Sequence, residues 1–213
     1  MAEFINATPA RKLRIIKEQK FPSKFIVSRY RIARNNMVSS IRNQFSETDI
    51  ISGLERLNGI KPKSDFQTND VKNSIEALRA FLKLQFPNDF KTIKCEFSKP
   101  EAKGFILEGV NIIVSPDIIL RGNKNGKPFV GGIKFHISKS KKINEATGKY
   151  VAHGIKLFLK KTELKSDEII LPEYCLCVDV FGERVIQSPK KDDEFTIGLS
   201  EACEEIKRLW PTA

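Results

Sequence analysis

The sequence predicts an α/β (α+β) domain: a central mixed sheet of five to six strands, flanked by helices and preceded by a helical N-terminal extension. Three observations predict it. Between Val110 and Ser138, the runs VNIIVSPDIIL and FVGGIKFHIS, rich in β-branched and aromatic residues, flank the polar cluster RGNKNGKP; this pattern marks two strands and a connection. Apolar stripes with helical spacing lie on both sides of that pair, at Val71–Phe86 and Tyr150–Lys161. Two further β-type runs flank Phe181-Gly182-Glu183-Arg184 within 173–188, the pattern of a hairpin. From residue 70 the element order is therefore helix, three to four strands, helix, two strands, helix.

Taken in order, Thr8 suits an N-cap and Pro9 the first turn of a helix over 8–20. Phe25, Ile26, Tyr30, Ala33, Met37, Val38, Ile41 and Phe45 then recur along one stripe of an amphipathic helix. Ser46 is placed to cap a third helix that carries Ile50, Ile51, Leu54 and Leu57 and stops at Gly59. Residues 1–60 thus read as a basic helical extension, 61–69 (KPKSDFQTN) as a polar linker, and 70–213 as the core domain. Asn69 or Asp70 is the expected cap of the next helix, whose buried stripe is Val71, Ser74, Ile75, Leu78, Phe81, Leu82 and Phe86. Residues 91–98 alternate as a strand, with Ile93, Cys95 and Phe97 on one side and Lys94 and Glu96 on the other; Phe105–Leu107 is the next strand, with Gly109 turning the chain. Ser200 is the expected cap of the last helix, which turns Ala202, Cys203, Ile206 and Leu209 inward.

A length of 213 residues suffices for a core, and a 40% hydrophobic fraction with 15 Phe argues for a folded chain. No run approaches the roughly 18 apolar residues of a membrane span, and MAEFINATPARK lacks the apolar centre of a signal peptide. Cys95, Cys175, Cys177 and Cys203 have no zinc-ribbon spacing and read as reduced thiols of a cytoplasmic protein. The net charge of +11 is unevenly distributed. Arg11–Arg34 holds nine Lys/Arg against one acid, Lys127–Lys165 ten Lys against two acids, and 166–213 five basic against eleven acidic residues. Two basic blocks and an acidic tail point to an anionic partner, most simply nucleic acid, DNA rather than RNA. Candidate phosphate contacts are Arg29, Arg31 and Arg34 in the first block, and Lys139, Lys141, Lys142, Lys149, Lys156 and Lys160 in the second.

Asp117 and Lys134 sit one in each apolar run of the central pair, where an ionisable group is either at a solvated edge or in a site. Pro116-Asp117, a gap, and a Lys inside an apolar strand resemble the PD-(D/E)XK, or restriction-endonuclease-like, nuclease superfamily. The element order from residue 70 also resembles the αβββαβ core of that superfamily. The resemblance implies that Asp117 and an acid two residues before Lys134 hold Mg²⁺ or Mn²⁺, and that Lys134 positions the attacking water. At that acid's position stands Gly132, which offers no ligand. A migrated carboxylate is then required. Glu96, on the polar parity of a strand of the same sheet, is the first candidate. Glu76, because the resemblance implies an acid on the helix before the first strand, and Glu108 are the other candidates. His136, on the parity of Lys134, is a candidate base, ligand or phosphate contact. The expected function is nucleic-acid binding by a nuclease-like fold with a degenerate or altered metal site. The alternatives are an active Mg²⁺-dependent DNA endo- or exonuclease, and a structural or protein-interaction subunit that associates with itself or a partner.

Overall fold

The computed structural model describes residues 1–22 and 29–213. A five-stranded mixed sheet forms the centre, in the order β1 (Cys95–Ser98), β4 (Ile118–Lys124), β5 (Lys127–His136), β6 (Ile169–Asp179), β7 (Arg184–Gln187). All neighbours are antiparallel except β5 and β6, which run parallel and are joined by the crossover helix α6 (Glu145–Thr162). β2 (Gly104–Leu107) and β3 (Val110–Ile113) pair with each other as a separate two-stranded hairpin. The first apolar run of the central pair therefore splits. Its VNII half belongs to β3, and the chain turns through Val114–Asp117, with Ser115 at φ +44°, before β4 begins.

The connection between β4 and β5 is shorter than the polar cluster RGNKNGKP suggests. β4 continues to Lys124 and β5 starts at Lys127, leaving only Asn125-Gly126 in the turn, at φ +54° and +79°. Two successive left-handed residues make the tight turn whose twist matches that of paired strands, and Asn-Gly is its preferred sequence. Polar residues at 121–124 mark the strand's emergence into solvent, not its end.

One sheet face is covered by α3 (Arg31–Arg42), α4 (Glu47–Asn58) and α5 (Asp65–Phe81), whose Met37, Ile50, Leu57 and Leu78 share a core with Ile118, Leu120, Phe129, Ile133 and Phe135. Half of the N-terminal extension is thus part of the central core. α1 (Ala2–Ile5) and α2 (Pro9–Lys20) pack instead against α7 (Asp193–Leu209), through Phe4, Ile16 and Ala202 and the 2.6 Å ion pair Lys12–Glu205. The opposite sheet face carries α6 and the β2–β3 hairpin, with Phe105, Ile112, Ile119, Val130, Ile155, Phe158 and Cys175 buried between them.

Caps explain where several helices begin. Thr8 accepts the Arg11 N–H and Pro9 opens α2, as its sequence suggests. α5 starts at Asp65, inside the expected linker: Ser64 Oγ accepts the Gln67 N–H at 3.3 Å, while Gln67 Oε1 accepts the Lys63 N–H at 2.7 Å. Asp70, the expected cap of that helix, serves α3 instead, accepting the N–H of Tyr30, which stands at φ +60°. Asn144 caps α6 through the Thr147 N–H, a turn before the expected Tyr150 start. α7 begins at Asp193, not at Ser200, because Leu199 continues the buried stripe backward through Gly198, which abuts the Tyr150 hydroxyl. The cap at Ser46 is in place without a side-chain bond, and Phe25 and Ile26 lie outside the described residues. All four cysteines are free thiols; burial pushes those of Cys175 and Cys177 up to about 12. Among the described residues no helix is long and apolar enough to cross a membrane.

α6 meets α7 at His153, which is fully buried. Its Nε2 lies 3.0 Å from Thr196 Oγ1 and its Nδ1 3.4 Å from Asp192 Oδ2, with Lys156 Nζ 2.5 Å from the same carboxylate oxygen. Burial pushes the His153 imidazole down to about 4; Asp192 works against that shift and Lys156 adds to it. A folded-state value below the ordinary 6.5 means that protonation favours the unfolded chain, so this contribution to stability is intact above pH 6.5 and is lost as pH falls towards 4. Thermal melts are expected to show a declining midpoint across that window, with a shallower decline in His153→Gln.

Candidate functional site

Asp117 and Lys134 meet at the end of the sheet where β4 begins and β5 ends. Ile118 pairs with Ile133, so Asp117 and Lys134 are the next residues outward on neighbouring antiparallel strands, and the Asp117 N–H still donates to the Ile133 carbonyl at 2.7 Å. Pro116, which is buried and has no N–H to give, and the left-handed Ser115 bring the chain sharply into β4. This turn leaves the Ser115 carbonyl over the site, where it accepts from Lys134 Nζ at 2.6 Å.

The Asp117 carboxylate is engaged on both oxygens. Oδ1 receives Arg34 Nη1 from α3 at 2.6 Å. Oδ2 accepts the Phe135 N–H at 2.8 Å and stands 3.6 Å from Lys134 Nζ. The Asp117 side chain is 11% exposed, against 33% for Arg34 and 29% for Lys134. The carboxylate is therefore the most buried member of the cluster. Burial pushes the Lys134 ammonium below its ordinary value; Asp117 opposes the shift and the Arg34 guanidinium reinforces it. On the α6 side of Lys134 lies a hollow of about 250 Å³, walled by Phe105, Ile112, Val114, Phe135 and Leu199, with His136 and Tyr150 as its other polar-headed residues. The His136 Nε2 is already taken, 2.5 Å from the Lys141 carbonyl.

The other expected metal ligands do not join Asp117. Glu96 lies opposite Arg121, four residues along β4 from Asp117, or about 13 Å at the rise of a strand. It shares an open groove with Arg121, Lys165 and Glu168. Parity with the site was met, but register was not. Glu76 is on α5 as expected, but its carboxylate is paired with Lys139 at 2.5 Å, which holds it below the usual range.

Gly132 has a packing reason. A Cβ there would lie 2.8 Å from Ile155 Cγ2 of the crossover helix, below any ordinary carbon–carbon contact. The volume that an acid would occupy is filled with hydrocarbon. A hard divalent cation wants two or more oxygen ligands and a negative surrounding field. Here one carboxylate is fully bonded and flanked by two cations, and among the described residues no group of three or more His, Cys, Asp or Glu is assembled to hold a metal. The donor set does not fit Mg²⁺ or Mn²⁺.

The candidate phosphate contacts divide into two sets. Arg34 is the partner of Asp117. Lys149 pairs with Glu145 and Lys156 with Asp192, both within the α6–α7 region. Lys160 is exposed near the far end of α6. Arg29 stacks on Phe66 at 5.0 Å from the ring centroid, and Arg31 is exposed in the first turn of α3. Lys139, Lys141 and Lys142 lie just past β5, all exposed, with Lys141 no closer than 4.0 Å to Glu3. α5 links the two regions: its Asp70 accepts the Tyr30 N–H and its Glu76 pairs with Lys139. Sequence reasoning missed that Arg34 would bind Asp117, since 83 residues separate them and no periodicity links them. It also missed Ile155 against Gly132, although a glycine inside a strand commonly marks a close approach of this kind.

No protein-family model and no curated protein matches the sequence.

Gly132→Glu, which puts an acid where the resemblance implies one, is expected to lower thermal stability by about 2 kcal/mol or more through overpacking and to confer no Mg²⁺-dependent rise in melting temperature. Adding Ile155→Ala should recover part of the loss, because it vacates the space that the carboxylate needs; calorimetry with and without Mg²⁺ reads both effects. Asp117→Ala, which leaves two neighbouring cations without their anion, is expected to cost about 2 kcal/mol.

Proposed function

We propose that this protein binds nucleic acid through the cationic end of its sheet without cleaving it. The observation that carries the proposal is the position of Arg34: a guanidinium, bonded to Asp117, stands where the resemblance to PD-(D/E)XK nucleases calls for a metal ion. Arg34 engages Asp117 through one nitrogen only. Arg34 and Lys134 are both part-exposed; Arg31 is exposed three residues before Arg34, and Lys141 and Lys142 are exposed just after the strand that carries Lys134, a set drawn from both basic blocks of the sequence. A planar guanidinium oriented by a carboxylate is well suited to a backbone phosphate. With Lys134 beside it, the pair can hold one phosphodiester and steer its neighbours onto the lysines that follow β5. Hydrolysis would further require an activated water and a hard cation on the phosphate, and the donor set around Asp117 supplies neither.

Binding of this kind is governed by counterion release. Fluorescence anisotropy with a labelled single strand, a DNA duplex and an RNA of equal length is expected to show about 50- to 150-fold weaker binding at 200 mM than at 50 mM salt, the range for four phosphate contacts. The double variant Lys141→Glu/Lys142→Glu should weaken binding at least tenfold with an unchanged melt. Plasmid incubated with Mn²⁺ should remain intact. Cutting that disappears in Asp117→Ala and Lys134→Ala would establish the active-nuclease alternative instead. Absence of salt-sensitive binding to all three probes would remove the proposal.

A further inference from the structure

A second cationic hollow lies at the opposite end of α3. From Arg34 to Arg42 is eight residues, about 12 Å along the helix axis. There a pocket of about 220 Å³ opens between the α3–α4 connection, the 3₁₀ turn Asn88–Lys91 and the edge strand β1. Three cations line it: Arg42 from the last turn of α3, Lys91 from the 3₁₀ turn, and Lys94 just before β1. Among the described residues no carboxylate lines it. Among the described residues the buried Arg42 Nε has no hydrogen-bond partner, an arrangement that costs free energy.

The walls are aromatic. Gln44 and Phe45 are both held in the left-handed region, at φ +53° and +63°. This places the Phe45 ring against Phe86 and Phe90, with centroids 4.8 and 5.5 Å away, and beneath Lys91 Nζ at 5.7 Å. Left-handed backbone at a residue with a large side chain is uncommon, and two in succession here set one ring at the mouth of a cationic pocket. The other polar side chains of the lining are Gln44, which is uncharged, and Cys95, whose thiol is pushed up to about 11 by burial and stays neutral, so neither offsets the cations. A cation in the last turn of a helix is also favoured by the helix dipole. That accounts for the residue type at 42, but it leaves the Nε–H unbonded and does not explain why Lys91 and Lys94 converge on it from another part of the chain.

We propose that this pocket binds a small phosphorylated ligand with a planar ring, of nucleoside monophosphate size. Arg42 and Lys94 take the phosphate, and the ring lies against Phe45. The volume falls below the roughly 300–1,000 Å³ of pockets for drug-sized ligands, which limits the occupant to a compact molecule. The site is separate from the Arg34–Asp117–Lys134 cluster and does not depend on the function proposed for that cluster.

Titration calorimetry of the full chain with AMP, UMP and inorganic phosphate tests it. AMP is expected to bind more tightly than inorganic phosphate. Arg42→Met should weaken AMP at least tenfold, as should Lys94→Glu, an exposed substitution that spares the fold even if Arg42→Met does not fold. Lys207→Ala, an exposed change on α7 outside both cationic sites, should leave AMP affinity unchanged. The proposal is overturned if none of the three probes binds at millimolar concentration, if affinity is equal in wild type and Lys94→Glu, or if phosphate binds as well as AMP. Failure of oligonucleotides to bind at the sheet end would leave this result untouched, and the two outcomes are read separately.

Discussion

The Asp117 carboxylate is the joint on which this molecule depends. Three separate parts of the chain converge on it: the guanidinium of Arg34 from α3, the ammonium of Lys134 from β5, and the Phe135 backbone N–H. A carboxylate that is 11% exposed is costly to desolvate alone, and two charge-assisted partners with a backbone donor offset that cost. The same bonds tie the helical layer to the sheet. Arg34 projects from the helix that buries Ala33 and Met37 against that sheet face, so the charged contact and the hydrophobic contact fix the same orientation. A group in this position is structural and electrostatic at once: it orders two part-exposed cations.

On the opposite face, the decisive constraint is the closeness of α6. A parallel pair of strands needs a crossover, and the helix that supplies it must lie flat on the sheet. Gly132 lets Ile155 settle into the strand, with Val130 and Cys175 beside it in the same buried cluster. The gain is apolar burial at the centre of the fold; the cost is any side chain at 132. An acidic ligand and this packing exclude each other, so the chemistry available at Asp117 follows from how tightly α6 packs.

Charge is sorted by the fold in a way that its linear distribution conceals. The first basic block divides: α2 is drawn to the acidic α7 through Lys12 and Glu205, while Arg34 turns to Asp117. The second divides as well, with Lys149 and Lys156 paired on the α6 side, Lys139 paired with Glu76 of α5, and Lys141 and Lys142 exposed after β5. Of these pairs Lys149–Glu145 is exposed and contributes little to stability, whereas Lys12–Glu205, Arg34–Asp117 and Lys156–Asp192 are partly buried. The pairs neutralise cations on the α6–α7 side and at Asp117, while Lys141 and Lys142 stay exposed after β5.

Local pattern was enough to establish the α/β class, the helices on either side of the central strands, the Thr8 cap, and the presence of an acid and an amine on adjoining strands, but not the split of the first apolar run into β3 and β4. Each rests on interactions within a few residues, such as the period of apolar side chains or a cap three residues from its donor. Where a cap competes with another use of the same residue, local reading fell short. Asp70 looked like the start of α5 and instead holds Tyr30, and Asn125-Gly126 alone turns a hairpin whose polar flanks looked like loop. Only the tertiary structure decided that Glu96 falls four residues out of reach, that Arg34 meets Asp117, and that Ile155 fills the space at Gly132. These are matters of strand register and of contacts across scores of residues. A period of two or 3.6 gives the face on which a side chain lies, but not what arrives from elsewhere in the chain to meet it.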